Sequence, residues 1–227
     1  MIVGTGLIAN SFKERYDNDD NIIIFASGVS NSSNCLADDF KREIDLLMKY
    51  IYIKDKKLVY FSTCSVYDDS VNTKSYVLHK LNVENIIRSM HSNYLIFRLP
   101  IVVGETSNNS TFFNNIKNKI LNNEPINVYK KATRYLIDID DISNILPYII
   151  DNDKNKAINV CFDNKMLVID IINIMEQILS KNANIIHIDF GHNYDINNSE
   201  FKKVLTDNLL PSKEYTIELI RKYLKKC

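Results

Sequence analysis

Short, unbroken apolar runs of strand length alternate along this chain with longer stretches of helical period, the pattern of a parallel sheet with helices against its faces. A strand is predicted at residues 1–3 and a helix over 7–16. Ile22, Ile23, Ile24 and Phe25 form one continuous run within a strand at 21–26, as expected of a strand buried on both sides. A polar loop spans 27–34, and the helix after it, about 38–53, carries Phe40, Ile44, Leu47 and Met48 on one side. A buried strand at 58–62, a helix at 76–90 with Leu81, Ile86 and Ile87 as its apolar side, and a strand at 94–99 stopping at Pro100 complete a repeated β-then-α unit. Beyond it the pattern predicts helices at 111–121, 140–150, 168–180 and 213–226, and extended segments at 126–129, 157–161 and 185–189. The asparagine-rich stretches 107–110 and 193–199 read as loops.

Composition narrows the functional classes. The 227 residues, 45% hydrophobic and 25% charged, suffice for one large domain or two closely joined ones. With 28 basic and 28 acidic residues the formal net charge is zero, so no global field draws the chain to nucleic acid or to an anionic membrane, and an anionic ligand must be held by local groups. Cys35, Cys64, Cys161 and Cys227 stand far apart with no C-x-x-C pair, so neither a metal site nor a disulfide framework is expected. No stretch reaches the roughly 20 apolar residues of a membrane span, and no signal peptide is evident; a cytoplasmic location with reduced thiols is the expectation.

Three local patterns carry chemistry. Gly4-Thr5-Gly6-Leu7-Ile8-Ala9 follows a strand and opens a helix, where glycines let the backbone approach a pyrophosphate; a plain tight turn is the alternative. About 20 residues on, an acid normally holds the adenosine ribose, yet Ile24-Phe25-Ala26-Ser27-Gly28 offers none. Either the cofactor is NADP, or the usual second and third strands are missing, as the short interval between Tyr16 and Asn21 suggests. Tyr76-Val77-Leu78-His79-Lys80 sets a phenol and an ammonium four residues apart on one helix face, where a cation can lower a tyrosine pKa from its ordinary value of about 10. Alone, such a pair also fits a solvated helix face. Ser62-Thr63-Cys64-Ser65 places hydroxyls at a strand end, where ligands sit in such sheets, although turn chemistry explains them equally. His79 is expected at an exposed helix position, and His91, His187 and His192 lack ligand spacing.

Those motifs, followed by Arg98-Leu99-Pro100-x-Val102-Val103-Gly104 and Arg134-Tyr135-Leu136-Ile137-Asp138-Ile139-Asp140-Asp141, stand in the order of extended short-chain dehydrogenases/reductases. The chain resembles the NAD-dependent epimerase/dehydratase family over nearly its whole length, as a shortened member. The resemblance implies an α/β fold: a Rossmann-type doubly wound parallel sheet, mainly residues 1–105, with a small C-terminal α/β substrate-binding portion, mainly 106–227 and interleaved with the core. It implies a nucleotide-diphosphate sugar substrate, NADP or NAD as cofactor, with the missing acid setting NADP slightly ahead, and a homodimer through the helices at 38–53 and 76–90. Tyr76 becomes the acid/base, Lys80 the residue that orients the nicotinamide ribose, and Thr63 the contact to the reacting oxygen. Gly4, Gly6, Leu7, Ile8, Ala26, Ser27, Gly28, Ser62 and Pro100 join Tyr76 and Lys80 around the cofactor. Cys64, Ser65 and Arg134 join Thr63 at the substrate; for Arg134, a phosphate contact and a surface salt bridge both remain open. Asp141 looks structural, an acid at a helix start.

The departures from the family matter. Its 4,6-dehydratases carry Asp-Glu after the active-site threonine, where this chain has Cys64 and Ser65, so dehydration is not expected. The leading expectation is NAD(P)H-dependent reduction of a keto group, C4 by preference, of a nucleotide-linked deoxysugar. A C4 epimerase with tightly held NAD would use the same three residues, and a catalytically silent cofactor-binding or scaffold protein is the reading from another class.

Overall fold

The computed structural model describes residues 1–31, 36–206 and 209–225; Cys35, Cys227 and the ends of the predicted loop at 27–34 and helix at 213–226 lie outside them. The first half alternates as the pattern predicts: β1 (Ile2–Val3), α1 (Leu7–Ser11), α2 (Lys13–Tyr16), β2 (Ile22–Phe25), α3 (Ala37–Met48), β3 (Lys57–Thr63), α4 (Ser75–Met90) and β4 (Tyr94–Leu99). A 3₁₀ turn, Cys64–Tyr67, leaves β3. The predicted helix at 7–16 is two short helices meeting at Phe12, whose ring is buried. The second half contains β5 (Ile101–Val103), α5 (Phe112–Leu121), β6 (Pro125–Tyr129), β7 (Thr133–Arg134), β8 (Leu136–Asp138), α6 (Ile139–Asn152), β9 (Lys156–Asn159), β10 (Met166–Leu167), α7 (Val168–Leu179), β11 (Asn184–Ile188), α8 (Ser199–Lys202) and α9 (Tyr215–Leu224). No helix among the described residues is long and apolar enough to cross a membrane.

Five strands form one parallel sheet in the order β1-β2-β3-β4-β9. Because side chains alternate across a strand, the unbroken runs feed two layers. Ile22 and Ile24 face Phe12 and Tyr16 of α1–α2 and Ile145, Leu146 and Ile149 of α6, whereas Ile23 and Phe25 face Leu47 of α3 and Val83 and Ile87 of α4. Helices therefore cover both faces.

The strand order accounts for the missing acid. β1, which precedes the glycine motif, pairs among the described residues with β2 alone, and β2 is the strand ending in Ala26-Ser27-Gly28. The chain goes directly from one to the other through α1 and α2, so no strand stands where the acid would be carried. The shortcut leaves a topological trace. From β1 to β2 and from β2 to β3 the sheet advances in one direction, yet the first crossover runs over the α6 face and the second, through α3, over the α4 face. The two crossovers thus have opposite hands, although right-handed ones prevail by a wide margin. Two strands removed from within a larger sheet would leave this arrangement.

A second apolar cluster gathers α5, α7 and α9 around the alternating strand β6, whose Ile126 and Val128 point inward. Tyr215 of α9 packs against both clusters, and its hydroxyl meets Asp141 and the Asp138 backbone N–H at the start of α6. Asp138 itself is the N-cap, accepting from the Asp140 N–H.

Candidate active site

Four parallel strands end at one edge, and the segments leaving β1, β2, β3 and β4 surround a cavity of about 650 Å³. Every residue predicted for the site lines it except Gly4. Gly4 lies beneath the wall: its φ is +130°, and a Cβ there would stand 2.5 Å from the Ala26 carbonyl oxygen. Gly6 is the opposite case, for a Cβ there would meet nothing within 4 Å. A larger residue would fill cavity space, so the turn presents bare backbone to whatever enters, as a bound pyrophosphate requires.

Thr63 ends β3 and caps the 3₁₀ turn, its Oγ1 accepting from the Ser65 N–H at 3.1 Å. Tyr76 and Lys80 rise from α4 on the side turned toward the sheet, and both are buried. The solvated-face alternative for this pair is thereby excluded, and the inward side of α4 is wider than its apolar residues alone suggest. Leu81 and Ile86 are only partly covered, while Tyr76, Lys80, Val83, Glu84 and Ile87 face inward. Burial pushes the Tyr76 pKa well above the ordinary tyrosine value and the charge of Glu43 pushes it further, against a hydrogen bond with Thr63.

Glu43 is the residue the sequence pattern conceals. It lies on the apolar side of α3, three residues after Phe40 and four before Leu47, and is fully buried. Its carboxylate accepts from the Val29 N–H at 2.7 Å, the Tyr60 hydroxyl at 2.7 Å and Lys80 Nζ at 3.0 Å, and stands 2.9 Å from His79 Nε2. Burial alone would raise its pKa, but Lys80 and these hydrogen bonds bring it down to about 2. Burial likewise disfavours the Lys80 cation, which Glu43 sustains. His79 is corrected from exposed to buried: it stacks on Phe40 at a centroid distance of 4.4 Å. Gly28 is set by the same pair, since a Cβ there would fall 2.5 Å from Lys80 Nζ and 2.9 Å from Glu43 Oε1.

The remaining candidates divide. Ser62 lines the cavity, but its hydroxyl donates to Glu84 at 2.6 Å, within a cluster where Arg98 grips Glu84 through Nε and Nη2 at 2.9 and 2.7 Å. Cys64 is fully buried, its thiol 3.2 Å from the Arg98 carbonyl and its pKa driven up by burial, so its sulfur serves packing. Arg134 pairs with buried Asp68 at 3.1 Å, a half-buried ion pair and not a surface one, and also lines the cavity. Sequence reasoning also passed over Arg42, hydrogen-bonded to Ser27, and Tyr129, Phe190 and Tyr194 around the far part of the cavity. Arg42 on the outer side of α3, Tyr129 at the end of β6, and Phe190 and Tyr194 in a loop carry no local motif of their own.

The sequence model described as "NAD dependent epimerase/dehydratase family" matches residues 20–161, more than half of the chain. No curated protein matches the sequence. Among solved structures, UDP-glucuronic acid 4-epimerase from Bacillus cereus, in complex with UDP-glucuronic acid and NAD, is 19% identical over 98% of this chain and 79% of its own, with a TM-score of 0.69. A dTDP-4-dehydrorhamnose reductase from Clostridium acetobutylicum is 15% identical over 96% and 85%, TM-score 0.71. UDP-N-acetylglucosamine 4-epimerase from Methanobrevibacter ruminantium is 17% identical over 100% and 84%, TM-score 0.68. At these identities the likeness carries the fold.

Proposed function

The chain belongs to the NAD dependent epimerase/dehydratase family, and from that premise we propose that it reduces a keto group, C4 by preference, of a nucleotide-diphosphate deoxysugar. The observation that carries the reading is the convergence of Thr63, Tyr76 and Lys80 on the cavity that Gly6 leaves open. A nicotinamide dinucleotide would lie along Gly4–Leu7 and the Ala26–Gly28 strand end, and when bound it supplies the hydride. Thr63 holds the substrate oxygen, Tyr76 delivers its proton to that oxygen, and Lys80 keeps the phenol and the ribose in place. Arg134 offers a guanidinium for the diphosphate, and residues 106–227 supply most of the sugar-nucleotide side.

Reduction is favoured over epimerisation by the strand order. Among the described residues β1 is the edge strand, so no further strand of the sheet flanks the adenosine end, which suits a cofactor exchanged at each turnover. The epimerase reading draws on the 4-epimerases among the structural neighbours, such as the Bacillus cereus enzyme crystallised with NAD. That neighbour also supports NAD as a cofactor, while NADP rests on the missing acid. A homodimer through α3 and α4 fits the shallow cleft between them, where Leu78 is exposed beside Phe40 and Ile44.

The test is calorimetric titration with NADPH, NADH and NAD, followed by loss of reduced-nicotinamide absorbance with keto-deoxysugar nucleotides. Turnover abolished by Tyr76→Phe and retained dinucleotide binding support the reductase. NAD that copurifies and is not consumed turns the reading to the epimerase, and no dinucleotide binding leaves a scaffold.

A further inference from the structure

Lys80 is not a free cation waiting for a ribose. Its Nζ donates to Glu43 Oε1 at 3.0 Å and to the Tyr60 hydroxyl at 3.1 Å, with the Tyr76 ring centroid 6.0 Å away. Glu43 comes from a different element, α3, and its two oxygens meet four partners on three others: the Val29 N–H, Tyr60 of β3, and His79 and Lys80 of α4. Gly28 makes room for this contact, because any side chain there would collide with both charged groups. A fully buried carboxylate with this many donors is fixed in place as well as charged.

We infer that Glu43 is a positioning residue that holds Lys80 as a cation inside the protein while opposing its charge at Tyr76, so that Tyr76 rests as a neutral phenol.

A lone ammonium beside a tyrosine would favour the phenolate. A carboxylate bonded to that ammonium removes most of the effect, and burial does the rest. The groups facing this site are Glu43 and Arg42 from α3, Thr63 and Tyr60 from β3, and His79, Lys80 and Glu84 from α4. The consequence for chemistry, which rests on the reductase reading, is directional. In reduction the carbonyl carbon gains a hydride, with its two electrons, from a reduced nicotinamide dinucleotide, and the carbonyl oxygen gains the Tyr76 proton. That half-reaction starts from the phenol. Removal of hydride from an alcohol, with which epimerisation begins, starts from the phenolate, because Tyr76 must accept the hydroxyl proton. Glu43 thus populates the form that reduces and depletes the form that oxidises.

The experiment needs no substrate. Ultraviolet difference titration of the tyrosinate band is run on the cofactor-free wild type, with Tyr76→Phe subtracted to isolate Tyr76, and repeated with Glu43→Gln. In the wild type Tyr76 is expected to stay a phenol past the ordinary tyrosine value of about 10. In Glu43→Gln its ionisation should move down by at least one pH unit, a tenfold gain in phenolate at a given pH. An unmoved titration in a folded Glu43→Gln protein overturns the inference. Should that variant not fold, the wild type still tests the inference, because a Tyr76 that ionises at or below about pH 10 overturns it. The two proposals fail separately: absent dinucleotide binding sinks the reductase reading, while the titration reports on Glu43 alone.

Discussion

Gly4 and Gly6 stand two residues apart and answer to different constraints. Gly4 adopts φ +130° and abuts the Ala26 carbonyl, so Gly4→Ala must shift backbone against backbone. Its expected cost is more than about 2 kcal/mol, read as a lower melting temperature. Gly6 abuts nothing, so Gly6→Ala should melt within a degree or two of the wild type and yet bind dinucleotide at least tenfold more weakly by calorimetry. Equal loss of stability in both variants would refute the assignment of the open side of Gly6 to a ligand. The sequence motif names both glycines alike; only backbone conformation and neighbouring atoms tell them apart. Cys64 illustrates the reverse, a residue placed beside the reacting threonine by sequence and turned into the protein by packing. Its raised pKa predicts no alkylation by iodoacetamide at pH 7 within an hour in the folded protein, checked by mass spectrometry, and prompt alkylation after unfolding.

Helices α3 and α4 explain what a periodicity reading sees and what it misses. Such a reading counts apolar residues, and on α3 it finds Phe40, Ile44 and Leu47 correctly placed near the sheet side. On α4 it finds Ile87, with Ile86 and Leu81 packed at the edge of the core, but misses Tyr76, Lys80 and Glu84, polar groups that are tolerated inside only because each has a partner on another element. The Tyr76-Lys80 spacing was legible; Glu43 and Arg98, which complete the charge balance, come from distant segments and were not. These buried carboxylates make a prediction for the whole α3–α4 layer. Glu43 at about 2, and Glu84 held below its usual range against the burial that would raise it, stay ionised in the fold where the unfolded chain has taken up protons. Their contribution is complete above the unfolded carboxylate value of about 4.3 and is lost as pH falls through the folded values. Melting temperature should therefore hold from pH 7 to about 5 and drop steeply toward pH 3. Arg98→Met, which strips Glu84 of its bidentate partner, should cost up to about 3–5 kcal/mol, moderated by Arg88.

At the scale of the molecule, the alternation of strands and helices was readable because each long segment has a period, whereas β5, β7, β8 and β10, two or three residues each, are too short to have one. The most informative clue to function was a distance along the chain: only Asp17 to Asn21 separate α2 from β2. That interval forces β1 to pair directly with β2, leaves the adenosine side without an inner strand, and removes the position from which an acid would select NAD over NADP. Two expectations follow from one topological cause. Purified protein should carry no dinucleotide, seen as the absence of nicotinamide absorbance in the perchloric acid supernatant. NADH and NADPH should bind within about tenfold of each other, a difference below about 1.4 kcal/mol. A strong preference for one of them would mean that some other group, such as the exposed Arg42 hydrogen-bonded to Ser27, has taken over the discrimination. Arg42→Ala would then remove a preference for NADPH and leave NADH binding unchanged.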